Sequence, residues 1–148
     1  MGVRVAPAVT LDASIWVAAL RINEPAHDVA DQLLLSLLKQ GAQFVQPTLF
    51  AIEVGGAMRR RTGDVSRAQR AVDRIASLSA RLVVIDEIVA ADATSIAVQA
   101  GIAGADACYV ATSRQYRTTL LTLDETLISR AAALADVCHP RTWLERST

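Results

Sequence analysis

Short apolar runs alternate along this chain with longer stretches of helical spacing. Val9–Leu11 is an apolar run ending on Asp12 and predicts a first strand. Asp12-Ala-Ser-Ile-Trp then opens a helix to about Leu20, with Asp12 or Ser14 at its N-cap. Asn23-Glu-Pro breaks the pattern, and Ala26–Gln40 reads as a helix closed by Gly41. Gln43–Gln46 predicts a second strand, stopped by Pro47. Thr48 caps a helix running to about Arg61, and Gly63-Asp64 ends it. Val65–Ala80 is a further helix and Leu82–Ile85 a third strand. A helix from about Ile88 to Ala100 closes on Gly101, and the next opens on Asp106. Arg114 and Arg117 lead into a strand at Thr119–Thr122, followed by a helix over Thr126–Leu134. Val137-Cys138 is a short last strand, and Pro140–Leu144 packs the tail down. Strands that alternate with helices throughout imply βαβ units. The expected fold is α/β, three layers with a mostly parallel five-stranded sheet between helices. No repeat, linker or low-complexity stretch interrupts the 148 residues, so 1–148 reads as a single domain.

Composition narrows the chemistry. Hydrophobic content is 52% with only 4% aromatic, so the core must be aliphatic. Fifteen basic residues balance fifteen acidic ones, and the net value does not speak for nucleic acid. Cys108 and Cys138 stand alone and His27 and His139 are isolated. That spacing disfavours a disulfide framework, a zinc site or a histidine-based triad. The N-terminus has no apolar signal core, and Ala6 breaks the myristoylation pattern. Apolar runs fall far short of the roughly 18 residues of a membrane span. The expected protein is soluble, cytoplasmic and without membrane contact.

Four acids carry the candidate chemistry. Asp12 and Asp124 each directly follow a strand, so in a parallel sheet both leave from the same edge. Asp106 lies in the first turn of its helix. Each of these three also suits an N-cap, which is the bland alternative. Glu53 is mid-helix, where capping does not explain it. Leu49, Phe50, Gly56 and Ala57 surround it at three and four residues, an apolar or small stripe. A carboxylate facing the core is costly unless a cation, or an arginine partner, compensates it. All-oxygen ligands suit a hard cation, Mg²⁺ or Mn²⁺, and the best-matched chemistry is phosphodiester hydrolysis. Ser14 is either a capping hydroxyl or a holder of water or phosphate. Thr122, in strand phase with Asp124, can donate to the cluster. Asp86 reads as a plain N-cap.

Charge and hydrophobicity are unevenly spread. Arg59–Arg81 holds seven arginines against two aspartates, and Leu82–Ser113 holds no basic residue. Arg59, Arg60 and Arg61 are the candidate RNA contacts, weighed against a solvated helix face. Leucine fills five of the six positions from Leu33 to Leu38, and Trp16 lies four residues from Leu20. These helices are expected to meet a partner or else to bury the same residues in the core.

Val9-Thr-Leu-Asp12-Ala-Ser14, Phe50-Ala-Ile-Glu53-Val, Gly104-Ala-Asp106-Ala and Leu121-Thr-Leu-Asp124 resemble, in order and spacing, the four acidic motifs of PIN-domain ribonucleases. Small VapC-type toxins of toxin–antitoxin pairs are the nearest likeness. The resemblance implies a Mg²⁺-dependent endoribonuclease whose metal is held by Asp12, Glu53, Asp106 and Asp124. It also implies a homodimer and inhibition by a cognate antitoxin. Receiver and haloacid-dehalogenase-type phosphatase folds share strand-end acids but need a late lysine, and Lys39 is the sole lysine. No P-loop or dinucleotide fingerprint is present. The alternative function is a non-catalytic, metal-stabilised RNA-binding or regulatory scaffold.

Overall fold

Five parallel strands form the centre of the computed structural model, which describes residues 2–148. They are β1 (Ala8–Leu11), β2 (Gln43–Pro47), β3 (Arg81–Val83), β4 (Thr119–Leu121) and β5 (Val137–Cys138). Their spatial order is β3-β2-β1-β4-β5, with every pairing parallel. Helices α1 (Ala13–Leu20) and α2 (His27–Lys39) join β1 to β2, and α3 (Leu49–Thr62) and α4 (Val65–Ala76) join β2 to β3. Helices α5 (Glu87–Ala100) and α6 (Gly104–Tyr116) carry the chain back across the sheet to β4. Helix α7 (Glu125–Ala131) joins β4 to β5, and α8 (Pro140–Ser147) follows. Right-handed crossovers put α1–α4 on one face and α5–α7 on the other. Helix α6 accordingly packs across β1, β2 and β4.

Covering both faces explains why the central strands are apolar almost without interruption. Val9, Leu11, Leu120 and Leu121 are wholly buried. The connection after β1 leaves toward β2, whereas that after β4 leaves toward β5, so the winding reverses between these two neighbours. In open parallel sheets, such a switch point is where ligands bind. Leu11 lies opposite Leu121, and the Asp12 amide donates to the Leu121 carbonyl at 3.1 Å. Asp12 and Thr122 therefore leave the sheet side by side.

Several boundaries differ from expectation. Helix α4 ends at Ala76 rather than Ala80, because the Ser77 amide and hydroxyl both turn back to carbonyls of the last turn. Strand β3 begins at Arg81 and ends at Val83, two residues short of Ile85. Helix α6 opens at Gly104, two residues before Asp106, and α7 stops at Ala131 instead of Leu134. The tail is a helix in its own right, with Pro140 in its first turn and His139 accepting from the Arg141 amide as its cap.

The expected partner surface is divided. Trp16 is only 2% exposed and packs against Phe44 and Phe50, with ring centroids 5.8 and 6.2 Å away. It is a core residue and not an anchor in a groove. Leu33 and Leu37 are buried as well, while Leu35 and Leu38 are about half exposed. One helix face thus serves the core, and those two leucines alone of the five are exposed.

Candidate functional site

Asp12 is the anchor of the site. It is 4% exposed, and both carboxylate oxygens are occupied. One accepts the Ser14 amide at 2.6 Å, which caps α1, and also the Ser14 hydroxyl. The other accepts the Thr122 hydroxyl. Burial pushes the Asp12 carboxyl above its usual range, and the donors from Ser14 and Thr122 oppose that rise. Ser14 and Thr122 do more than hold Asp12. The Ser14 oxygen accepts the Leu123 amide at 3.3 Å, and the Thr122 oxygen accepts the Asp124 amide at 3.1 Å. Two hydroxyls thereby tie the turn after β1 to the turn after β4.

Asp124 does cap α7. One of its oxygens accepts from the amides of Thr126 and Leu127, at 2.9 and 3.1 Å. The side chain is exposed, and its other oxygen is not used by the cap. Asp106 does not cap α6. Ala103 occupies the N-cap position and Asp106 sits in the first turn with its side chain half-buried. Its carboxyl is pushed up to about 6, by burial first and then by the charges of Asp12, Glu53 and Asp124. That ordering matters, because it records all three other acids acting on one carboxylate. Asp86, read as a plain cap, is one: it accepts from the Ile88 and Val89 amides.

Glu53 flanks the buried stripe Phe50, Val54 and Met58 of α3. It is half-buried, between the core-facing and the surface readings. Burial raises its carboxyl, the nearby Tyr109 hydroxyl lowers it, Asp12 raises it and Arg60 lowers it. The three arginines at the end of α3 do not act together. Successive helical residues turn by about 100°, so only one of three can share a given face. Arg60 lies seven residues from Glu53 and folds over Gly56, where an added Cβ would meet its guanidinium at 3.1 Å. Arg61 instead pairs with Glu24 at 2.6 Å, and Arg59 faces the α3–α4 side with Val65 and Val72. Arg67, Arg70 and Arg74 line a separate groove of about 560 Å³ with Leu20, Ile22 and Met58. Arg81 stacks on the Tyr116 ring at 4.6 Å. The basic segment is therefore spread over several surfaces.

The charges of Asp12, Glu53 and Asp124 all bear on Asp106, and that of Asp12 bears on Glu53. Among the described residues, however, no three acid, cysteine or histidine side chains are already drawn in around one cation position. Sequence reasoning missed two further residues. Gln46 is fully buried, and its side-chain amide accepts from the Leu11 amide at 2.8 Å and donates to the Leu11 carbonyl at 2.7 Å. Near the end of β2 it continues the ladder by side chain and fixes the residue before Asp12. Tyr109 lies one turn after Asp106, fully buried, beside Glu53. Its spacing from Asp106 was the available signal.

The PIN domain model matches residues 9–134, and the chain belongs to the PIN domain family. No curated protein sequence matches it. Among solved structures it is similar to VapC20 of Mycobacterium tuberculosis, a Sarcin-Ricin loop cleaving toxin. That match has a TM-score of 0.73 at 20% identity, over 87% of this chain and 98% of that one. It is similar to PAE2754 of Pyrobaculum aerophilum, with a TM-score of 0.68 at 20% identity over 96% of each chain. A toxin–antitoxin complex from Klebsiella pneumoniae also matches, with a TM-score of 0.63 at 17% identity, over 89% of this chain and 97% of that one. At these identities the likeness concerns the fold. Among the described residues no single helix is long and apolar enough to cross a membrane.

Proposed function

We propose that this chain is a divalent-metal-dependent endoribonuclease of VapC type, the toxin of a toxin–antitoxin pair. The observation carrying this reading is the action of Asp12, Glu53 and Asp124 on Asp106 at the switch point. Carboxylates gathered where their charges oppose one another fit a cation. The donors that these four side chains offer are all oxygens. That set suits Mg²⁺, with Mn²⁺ as a substitute. When bound, such an ion supplies Lewis-acid activation of water and of the scissile phosphate.

The chain's own residues have separate tasks. Ser14 and Thr122 hold Asp12 in one orientation and fix its distance from Asp124. Glu53 and Asp106 approach from α3 and α6, on opposite faces of the sheet, and close the site from both sides. Arg60, on the Glu53 face of α3, is placed to meet the RNA phosphate, while Arg59 and Arg61 lie outside that direction. The likeness to VapC20 supports structured RNA as the substrate class. The likeness to a toxin–antitoxin complex supports a cognate antitoxin as partner. For the homodimer, Leu82, Val84 and Ile88 supply exposed apolar side chains at the β3 edge and the start of α5.

The test is incubation of purified protein with structured RNAs in EDTA, Mg²⁺ or Mn²⁺, with the cut ends mapped. Cleavage at discrete sites that EDTA abolishes, and that Asp12→Asn abolishes too, is the expected result. RNA binding without cleavage in either metal would support the non-catalytic scaffold instead.

A further inference from the structure

Tyr109 is wholly buried on α6, yet its hydroxyl has no hydrogen-bond partner. A buried hydroxyl left unpaired costs about 1–3 kcal/mol, and phenylalanine would fill the same space without that cost. The carboxylate of Glu53 is close enough that the two groups influence each other, but the pair falls short of hydrogen-bond geometry. The acids differ in how they are held. Asp12 is fixed by Ser14 and Thr122, and Asp124 by the amides of its own helix. Glu53 and Asp106 have no comparable holder, and the one hydroxyl that bears on Glu53 is that of Tyr109. A buried hydroxyl short of full hydrogen-bond geometry thus adjoins a carboxylate with no other hydrogen-bond donor beside it. Glutamate also has the longest and freest side chain of the four, so it gains most from an orienting partner.

We infer that Tyr109 is a positioning residue for Glu53, its hydroxyl donating to one carboxylate oxygen so that the other would be oriented to hold a divalent cation together with Asp12 and Asp106. The inference rests on the metal-site reading above. Partners of this kind orient a ligand and contribute 10–100-fold to metal affinity in roughly the usual case.

Tyr109→Phe keeps the ring and removes only the hydroxyl. Mn²⁺ titration by calorimetry, without RNA, compares wild type, Tyr109→Phe, Glu53→Gln and the double variant. Wild type is expected to bind, and Tyr109→Phe to bind about 10–100-fold more weakly while melting no lower than wild type in EDTA. If Tyr109 acts through Glu53, adding Tyr109→Phe to Glu53→Gln brings no further loss. Wild-type affinity in Tyr109→Phe, or a loss that adds in full to that of Glu53→Gln, overturns the inference and leaves the metal site standing. Wild type that binds no Mn²⁺ overturns the metal-site reading and this inference with it.

Discussion

Replacing Asp106 by asparagine should stabilise the metal-free protein, and its pH dependence identifies why. The Asp106 carboxyl lies at about 6 in the folded chain against an ordinary 3.8. The folded state therefore holds this proton more tightly than the unfolded chain, and ionisation opposes folding. The cost is full above about pH 6, shrinks as pH falls through 6, and is gone below the unfolded value. A displacement of that size corresponds to about 3 kcal/mol at most. Asp106 is half-buried, and solvent screening reduces this to about 1–2 kcal/mol. Asparagine has nearly the same shape and no charge. In EDTA at about pH 7.5, Asp106→Asn should gain about 1–2 kcal/mol, or about 2–8 °C in Tm. At about pH 4.5 most of that gain should vanish, because the wild-type carboxyl is then largely protonated. Mg²⁺ should close the gap from the other side, by stabilising wild type and not the variant. Urea unfolding at both pH values, with and without metal, reads all of this. An Asp106→Asn protein less stable than wild type at pH 7.5, or a gain equal at both pH values, would refute the reasoning.

Thr122→Val removes the hydroxyl shared between Asp12 and the Asp124 amide, and RNA cleavage should fall about 10–100-fold. Unchanged kcat/KM would show that the bridge is only structural. Gln46→Leu leaves both polar groups of Leu11 unpaired in the core and should cost about 2–5 kcal/mol in urea unfolding. A loss below about 1 kcal/mol would contradict the ladder role. Arg60→Ala should lower the salt dependence of single-stranded RNA binding by about 0.7 in log–log slope, and Arg59→Ala should leave it unchanged. Equal effects at both positions would refute the assignment of Arg60 alone to the acid side.

Strands β1, β2 and β4 were legible because each apolar run ends at or just before a marker the backbone obeys: Asp12, Pro47 and Asp124. Gly63 likewise closes α3 in the left-handed region, with φ 68°, as glycine permits and other residues resist. The end of α4 was not legible, since Ser77-Leu-Ser-Ala carries no breaker and its turn is made by hydrogen bonds. Asp106 was legible in the first turn of its helix, although aspartate suits the cap as well. Backbone geometry alone separates the two. Glu53 was visible through its apolar neighbours. Arg59–Arg61 was visible as charge and not as direction, because sequence counts charges while a helix distributes them. The choice between core and partner for Trp16 stayed open, and Gln46 was missed, for one reason. Their partners, Phe44, Phe50 and Leu11, lie about 30 residues away along the chain, beyond any local pattern. Tyr109 was within reach, one turn from Asp106, but an aromatic on an apolar helix reads as core, which it also is.

The claim that these four acids form one metal site is tested most directly by anomalous diffraction from crystals grown or soaked with Mn²⁺. The account predicts a peak between Asp12, Glu53, Asp106 and Asp124, with carboxylate oxygens about 2.1 Å from the ion. The peak should disappear in Asp106→Asn crystals treated in the same way. A clear peak elsewhere, or no peak at the switch point at saturating Mn²⁺, would contradict the account.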